Sequence, residues 1–115
     1  MITAFFTVLG TRNLEQQCNF YANILGLEPE FENNDTVGFG QNGQLYIVIR
    51  RETTAKSHHG AENKDPIILT FKCEGNPNAL ITKLAEQGCN VHEQYQELYY
   101  FIKDYDGNEI CLDFS

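Results

Sequence analysis

The side chains here that could hold a metal or attack a substrate are three histidines, His58, His59 and His92, and four cysteines, Cys18, Cys73, Cys89 and Cys111. A metal cage needs donors that converge on one point. His58 and His59 are adjacent, so on an extended segment their rings point opposite ways. They read as solvated loop histidines. His92 follows Asn90-Val91 on a short predicted strand and reads as surface. No two cysteines are spaced as CxxC, which argues against a zinc ribbon and against a disulfide framework. Their neighbours are mostly apolar, as for reduced cysteines that pack as small hydrophobes. Cys111 is the one candidate nucleophile, and no basic residue is predicted beside it to hold a thiolate. The chain has no GxSxG turn and no glycine-rich phosphate loop. No catalytic residue is assigned. Arg50 and Asp113 are the polar groups that could orient a charged or hydrogen-bonding ligand. Tyr95, Tyr99, Tyr100 and Phe101 form an aromatic cluster suited to a flat ligand, a core or an interface.

The bulk numbers bound what these groups can serve. A chain of 115 residues is one domain of ordinary globular composition, 42% hydrophobic and 21% charged. It is long enough to bury a core without metal or disulfide staples. The net charge of −8 argues against nucleic acid, whose phosphates require a basic patch. It suits a cationic small molecule, and it equally serves solubility. No apolar run reaches membrane-spanning length, and no signal-peptide pattern opens the chain. The expected location is cytoplasmic, with neither membrane nor nucleic acid as a partner.

Periodicity supplies the elements that would position these groups. Residues 2–9 are β-branched and aromatic and read as a strand closed by Gly10. Asn13 is an N-cap with Gln16 in capping-box register. Leu14, Cys18, Tyr21 and Leu25 share one face of a helix over 14–25, and Gly26 sits at its C-cap. Strands follow at 28–32, 36–41 and 44–51, with Asn42-Gly43 as a hairpin turn. Residues 52–64 lack periodicity and read as a linker. A strand at 67–73 leads to Asn76-Pro77, an N-cap with proline in the first helical turn. Leu80, Ile81, Leu84 and Ala85 form the apolar stripe of a second helix, capped by Gly88. Strands at 90–93, 97–103 and 109–114 complete the chain, with a turn at Asp106-Gly107.

The two halves therefore repeat one βαβββ unit, residues 1–51 and 65–115. The first helix ends in Asn19-Phe20-Tyr21, then Leu25-Gly26-Leu27. The second half carries Asp104-Tyr105-Asp106-Gly107-Asn108, then Glu109-Ile110-Cys111-Leu112. In that order these signatures resemble the vicinal-oxygen-chelate superfamily of glyoxalases, bleomycin-resistance proteins and extradiol dioxygenases. The resemblance covers nearly the whole chain. It implies an α+β fold in which two paired βαβββ modules form a curled mixed sheet with helices outside. It also implies a concave ligand-binding face and a homodimer. Periodicity alone would equally allow an unrelated ferredoxin-like sandwich.

Relatives with metal chemistry hold the ion with four histidine or glutamate ligands on that concave face. The matching positions here are Phe6, Tyr46 or Val48, Ile68 and Cys111. None offers an imidazole or carboxylate, and the neighbours Phe5, Thr7, Ile67 and Leu69 would not rescue the site after a one-residue slip. No metal or other cofactor is expected. Strand parity puts Ala4, Phe6, Val8, Tyr46, Val48, Arg50, Ile68, Thr70, Cys111 and Asp113 on the concave face. It puts Leu9, Leu45, Ile47, Ile49, Leu69, Phe71, Ile110, Leu112 and Phe114 beneath the helices. The first set, less Ala4, is the expected ligand-binding site, mostly apolar with a few polar groups. The reading is a metal-independent protein similar to the bleomycin-resistance branch, sequestering a small cationic, aromatic molecule. The alternatives are a metal-dependent glyoxalase-type lyase or dioxygenase, holding a divalent ion, and a catalytically silent structural or regulatory homologue.

Overall fold

Each half of the chain builds the same unit. The computed structural model describes residues 1–2, 4–52 and 68–115. In the first half β1 (Thr7–Thr11) leads to α1 (Leu14–Asn19), a wider π-helical turn (Phe20–Ile24), β2 (Glu28–Glu32), β3 (Thr36–Gln41) and β4 (Gln44–Arg51). In the second, β5 (Ile68–Lys72), α2 (Pro77–Glu86), β6 (Glu93–Tyr95), β7 (Tyr99–Lys103) and β8 (Glu109–Asp113) repeat that order. The linker expected at 52–64 lies outside the described residues except for Glu52, and so do His58 and His59.

Local chemistry sets the boundaries of both helices. The Asn13 side chain accepts a hydrogen bond from the Gln16 amide at 3.1 Å, and Asn76 accepts one from the Asn78 amide at 2.9 Å. Pro77 opens α2, where its missing N–H costs no helical bond. The π turn closes with the Leu25 amide donating to the Phe20 carbonyl at 2.8 Å. The wider turn lets both Phe20 and Tyr21 enter the core, with their rings edge to face at 5.2 Å.

The α+β fold with paired modules is thus present as two four-stranded mixed sheets, ordered β1-β4-β3-β2 and β5-β8-β7-β6. In each, the first strand pairs in parallel with the last, and the other pairings are antiparallel. The expected curled sheet is not one hydrogen-bonded ladder, because among the described residues β1 and β5 are each the edge of their own sheet. Asn42 and Gly43 take positive φ, as the β3–β4 turn requires. Opposite that turn β4 carries a bulge at Tyr46, where the register slips between Phe39 and Gly40.

One core spans both modules. Leu9, Ile47, Ile49, Ile110 and Leu112 are fully buried, as their parity requires, together with Tyr21, Phe39, Leu84 and Ile102. Leu69, Phe71 and Phe114 pack against that cluster while staying partly exposed. Several strand boundaries differ from expectation, β7 starting at Tyr99 rather than 97 and β8 ending at Asp113 rather than 114. β1 runs through Gly10 to Thr11 and does not begin until Thr7, and the sixth strand lies at Glu93–Tyr95 rather than 90–93. No helix among the described residues is long and apolar enough to cross a membrane.

Candidate functional site

The modules meet in two chemically different places. The first is polar and closed. Asp104, only 6% exposed, follows β7 and opens the turn into β8. Its Oδ2 accepts hydrogen bonds from the Gln17 amide at 2.8 Å, the Tyr21 hydroxyl at 2.7 Å and the Asn108 amide at 2.9 Å. Its Oδ1 accepts from the Asn108 backbone N–H at 2.9 Å. Gln17 returns across the boundary by accepting from the Tyr105 N–H at 3.1 Å. Gln17 and Asn108 are fully buried. A buried carboxylate met by four donors is satisfied, and it fastens α1 and the π turn of one module to the β7–β8 turn of the other. Burial pushes the Tyr21 hydroxyl well above the ordinary tyrosine range, and the adjacent Asp104 charge pushes the same way. Asp104 therefore has a neutral donor beside it at every ordinary pH.

The second meeting place is open and of mixed polarity. A cavity of about 880 Å³ lies between the modules. Phe5, Thr7, Leu25, Leu27, Gln41, Tyr46 and Ile47 line it from the first module. Ile68 through Glu74, Leu80 and Leu112 line it from the second. The unpaired edges of β1 and β5 both contribute, so the gap between the sheets is where it forms. Its size falls within the range of small-molecule pockets, and its walls are mainly aliphatic and aromatic with a few polar groups.

The structure brings part of the expected site to this cavity. Tyr46, Ile68 and Thr70 line it. Phe6, Val8, Val48, Arg50, Cys111 and Asp113 do not. Val8 pairs directly with Val48, and Thr70 with Cys111, so each pair shares a sheet face as parity requires. Val48 and Cys111 are buried, while Phe6 and Val8 are 45% and 51% exposed. Arg50 sits 3.7 Å from Glu52. Asp113 lies 3.3 Å from the Lys72 ammonium and accepts from the Ser115 N–H at 2.8 Å, contacts that hold its carboxyl below the usual range, Ser115 first. Both expected polar groups are thus engaged with neighbours. In the aromatic cluster Tyr100 is core, donating its hydroxyl to the Glu97 carbonyl at 2.9 Å, and Tyr95 packs edge to face on Phe101.

The four positions where metal-binding relatives keep ligands do not fit an ion. Phe6 and Ile68 have no donor atoms, Val48 has none, and Tyr46 lies on the bulge and offers neither imidazole nor carboxylate. Cys111 is a buried thiol, raised by desolvation first and by the Asp113 charge second. Among the described residues no group of three or more His, Cys, Asp or Glu is close enough to hold a metal. His92 donates its backbone N–H to Phe101 and its ring Nε2 lies 2.8 Å from a Glu109 oxygen. All four cysteines are free, and burial raises the thiols of Cys18, Cys73 and Cys89 as well.

Sequence reasoning missed two groups of residues. It carried Asp104 and Asn108 only as part of the Asp-Tyr-Asp-Gly-Asn signature and gave them no role, although both are buried and hydrogen-bonded. It also placed Leu69, Phe71 and Leu112 wholly in the core, whereas they reach the cavity wall.

Comparison with known proteins gives the wider setting. The profile of the Glyoxalase/Bleomycin resistance protein/Dioxygenase superfamily matches residues 4–112. No curated protein matches the sequence. An integron cassette protein from the mobile metagenome of the Halifax Harbour sewage outfall superposes with a TM-score of 0.75 at 21% identity, covering 96% of this chain and 97% of its own. The fosfomycin resistance protein FosX from Mesorhizobium loti superposes with a TM-score of 0.74 at 11% identity, over 100% and 94% of the two chains. A lactoylglutathione lyase from Agrobacterium tumefaciens gives 0.69 at 17% identity, over 97% and 93%. At these identities the likeness is one of fold.

Proposed function

Because the chain belongs to the glyoxalase/bleomycin resistance protein/dioxygenase superfamily, we propose that it is a metal-independent member that binds a small, largely apolar molecule between its two modules. The observation that carries this reading is the pairing of an inter-module cavity of about 880 Å³ with ligand positions occupied by Phe6, Tyr46 or Val48, Ile68 and Cys111. The cavity walls supply Tyr46, Phe71 and Leu80 as contact surface, with Gln41 and Thr70 as neutral hydrogen-bonding groups. Burying an apolar ligand there removes its surface and the wall's from water together, at roughly 25 cal/mol per Å² before the cost of association. Among the described residues of the walls the one thiol, Cys73, is held protonated by its burial and is not an activated nucleophile. Binding rather than turnover is the role these residues support.

The test is metal content together with ligand response. Tag-free protein purified without chelator is expected to carry only substoichiometric metal by elemental mass spectrometry. Its melting temperature should not change on adding EDTA, and it should rise with cavity ligands from an aromatic small-molecule library. Near-stoichiometric zinc, nickel, manganese or iron, lost together with stability on chelation, would overturn the proposal in favour of a lyase or dioxygenase.

A further inference from the structure

Of the described residues lining the inter-module cavity, two carry formal charge, Lys72 and Glu74. They are not equally available. The Lys72 ammonium lies 3.3 Å from Asp113 Oδ2, 3.3 Å from the Ser115 hydroxyl and 3.4 Å from the Ser115 carbonyl. Its three protons are directed at these acceptors on the C-terminal side of β8. Glu74 is exposed at the cavity margin and forms no ion pair or side-chain hydrogen bond with any described residue. The uncommitted charge on the cavity wall is therefore a carboxylate. Phe5, Tyr46 and Phe71 lie on the same walls, and aromatic faces attract cations and repel anions through the ring quadrupole.

We propose that Glu74 reads the charge of the ligand, and that the cavity selects amphiphilic cations, an apolar ring system carrying an ammonium, amidinium or phosphonium centre, over anions of the same shape. This inference rests on the reading of the cavity as a metal-free binding site and adds the sign of the charge and the group that recognises it. The mechanism is local. A cation seated against Phe71 and Leu80 would leave its charge toward the margin, where Glu74 is the nearest unpaired counter-ion and water still reaches. An anion in the same place would meet Glu74 directly, and Lys72 would have to leave Asp113 and Ser115 to compensate.

Tetraphenylphosphonium and tetraphenylborate test this, since they share size and shape and differ in sign, with triphenylphosphine oxide as a neutral probe. Isothermal titration is expected to show the cation binding at least about tenfold tighter than the anion. Glu74→Gln keeps the shape and removes the charge. It should weaken the cation about fivefold, leave the neutral probe unchanged, and abolish most of the salt dependence of cation binding. Equal binding of cation and anion, or a cation affinity unmoved by E74Q, would overturn the charge reading while leaving the cavity as a binding site. If none of the three probes bound, the cavity reading itself would fall and this inference with it.

Discussion

The two parts of the module boundary are built by opposite rules. Around Asp104 four donors meet one buried carboxylate, and the modules are fastened by directional bonds. Among the buried side-chain atoms of Asp104, Gln17, Tyr21 and Asn108, only Asn108 Oδ1 is left without a partner. Around the cavity the walls mix aliphatic and aromatic side chains with polar ones, the edges of β1 and β5 are unpaired among the described residues, and Leu69 and Phe71 stay partly exposed. A buried polar cluster is costly unless complete, so it fixes one geometry. An open gap imposes no such demand and can accept a guest. The contrast separates what holds the modules together from what the boundary leaves available, and it divides the two sequence signatures: Asn-Phe-Tyr and Asp-Tyr-Asp-Gly-Asn serve the first task, while Leu25, Leu27 and Leu112 face the cavity. Tyr21, from the Asn-Phe-Tyr run, donates directly to Asp104 of the Asp-Tyr-Asp-Gly-Asn run.

Removing the acceptor is the strongest way to break the contrast. Asp104→Ala leaves the Tyr21 hydroxyl, the Gln17 amide and the Asn108 amide buried with no partner at that point. Each orphaned donor costs about 1–3 kcal/mol, though neighbouring losses do not add fully. The expected loss is about 3–5 kcal/mol by urea unfolding, enough to threaten folding of a domain this size. Asp104→Asn, which keeps the shape and one acceptor oxygen, should lose less. A loss below about 1 kcal/mol for the alanine variant would mean that the cluster is not what fastens the modules.

Tyr21→Phe sharpens the same side of the comparison. The ring still stacks on Phe39, with centroids 6.4 Å apart, while the hydroxyl is gone. Asp104 keeps three donors, so the expected cost is about 1–1.5 kcal/mol. The variant also has a pH signature. Folding raises the Tyr21 pKa, chiefly by burial and then through Asp104. A group whose folded pKa lies above its unfolded value, about 10 for tyrosine, gives its full stabilisation below that value. The contribution is then lost as pH climbs from there toward the folded pKa, at up to about 1.4 kcal/mol per pH unit. Wild-type stability should therefore fall more steeply above pH 10 than that of Tyr21→Phe. Parallel curves would show that Tyr21 does not titrate as a buried group.

How far this was legible in the sequence follows from which interactions are local. β2, β3 and β4 begin and end at the residues their patterning indicates, because hairpin turns and period-two alternation are local signals. Both helix starts were legible from Asn13 and Asn76 for the same reason. β1 was not. Residues 4–6 have strand-like composition, but β1 takes its register from β4, where Thr7 stands opposite Ile47 and the Tyr46 bulge disrupts the ladder beyond. The sixth strand shifts to meet β7, with Glu93 opposite Phe101. The Asp104 cluster joins residues 83 and 87 positions apart, a distance over which no local pattern reports. Strand parity foresaw the burial of Leu9, Ile49 and Ile110, but the bulge at Tyr46 breaks the alternation of β4, and parity could not say that the space between the sheets would open onto residues of both faces.

The smallest effect on stability is expected at the cavity, and it completes the comparison. Ile68 is 62% exposed on the free edge of β5 and lines the gap. Ile68→Thr keeps the β-branch that suits a strand and exchanges an ethyl group that water already reaches for a hydroxyl. Folding stability should move by less than about 0.5 kcal/mol, as for surface substitutions generally. Ligand affinity should still fall, because a bound apolar molecule would cover that side chain and the variant offers it a hydroxyl instead. A variant that lost more than about 1.5 kcal/mol in folding would place Ile68 in the core and close the cavity against a ligand. The boundary would then be sealed along its whole length, by hydrogen bonds at Asp104 and by packing at β5.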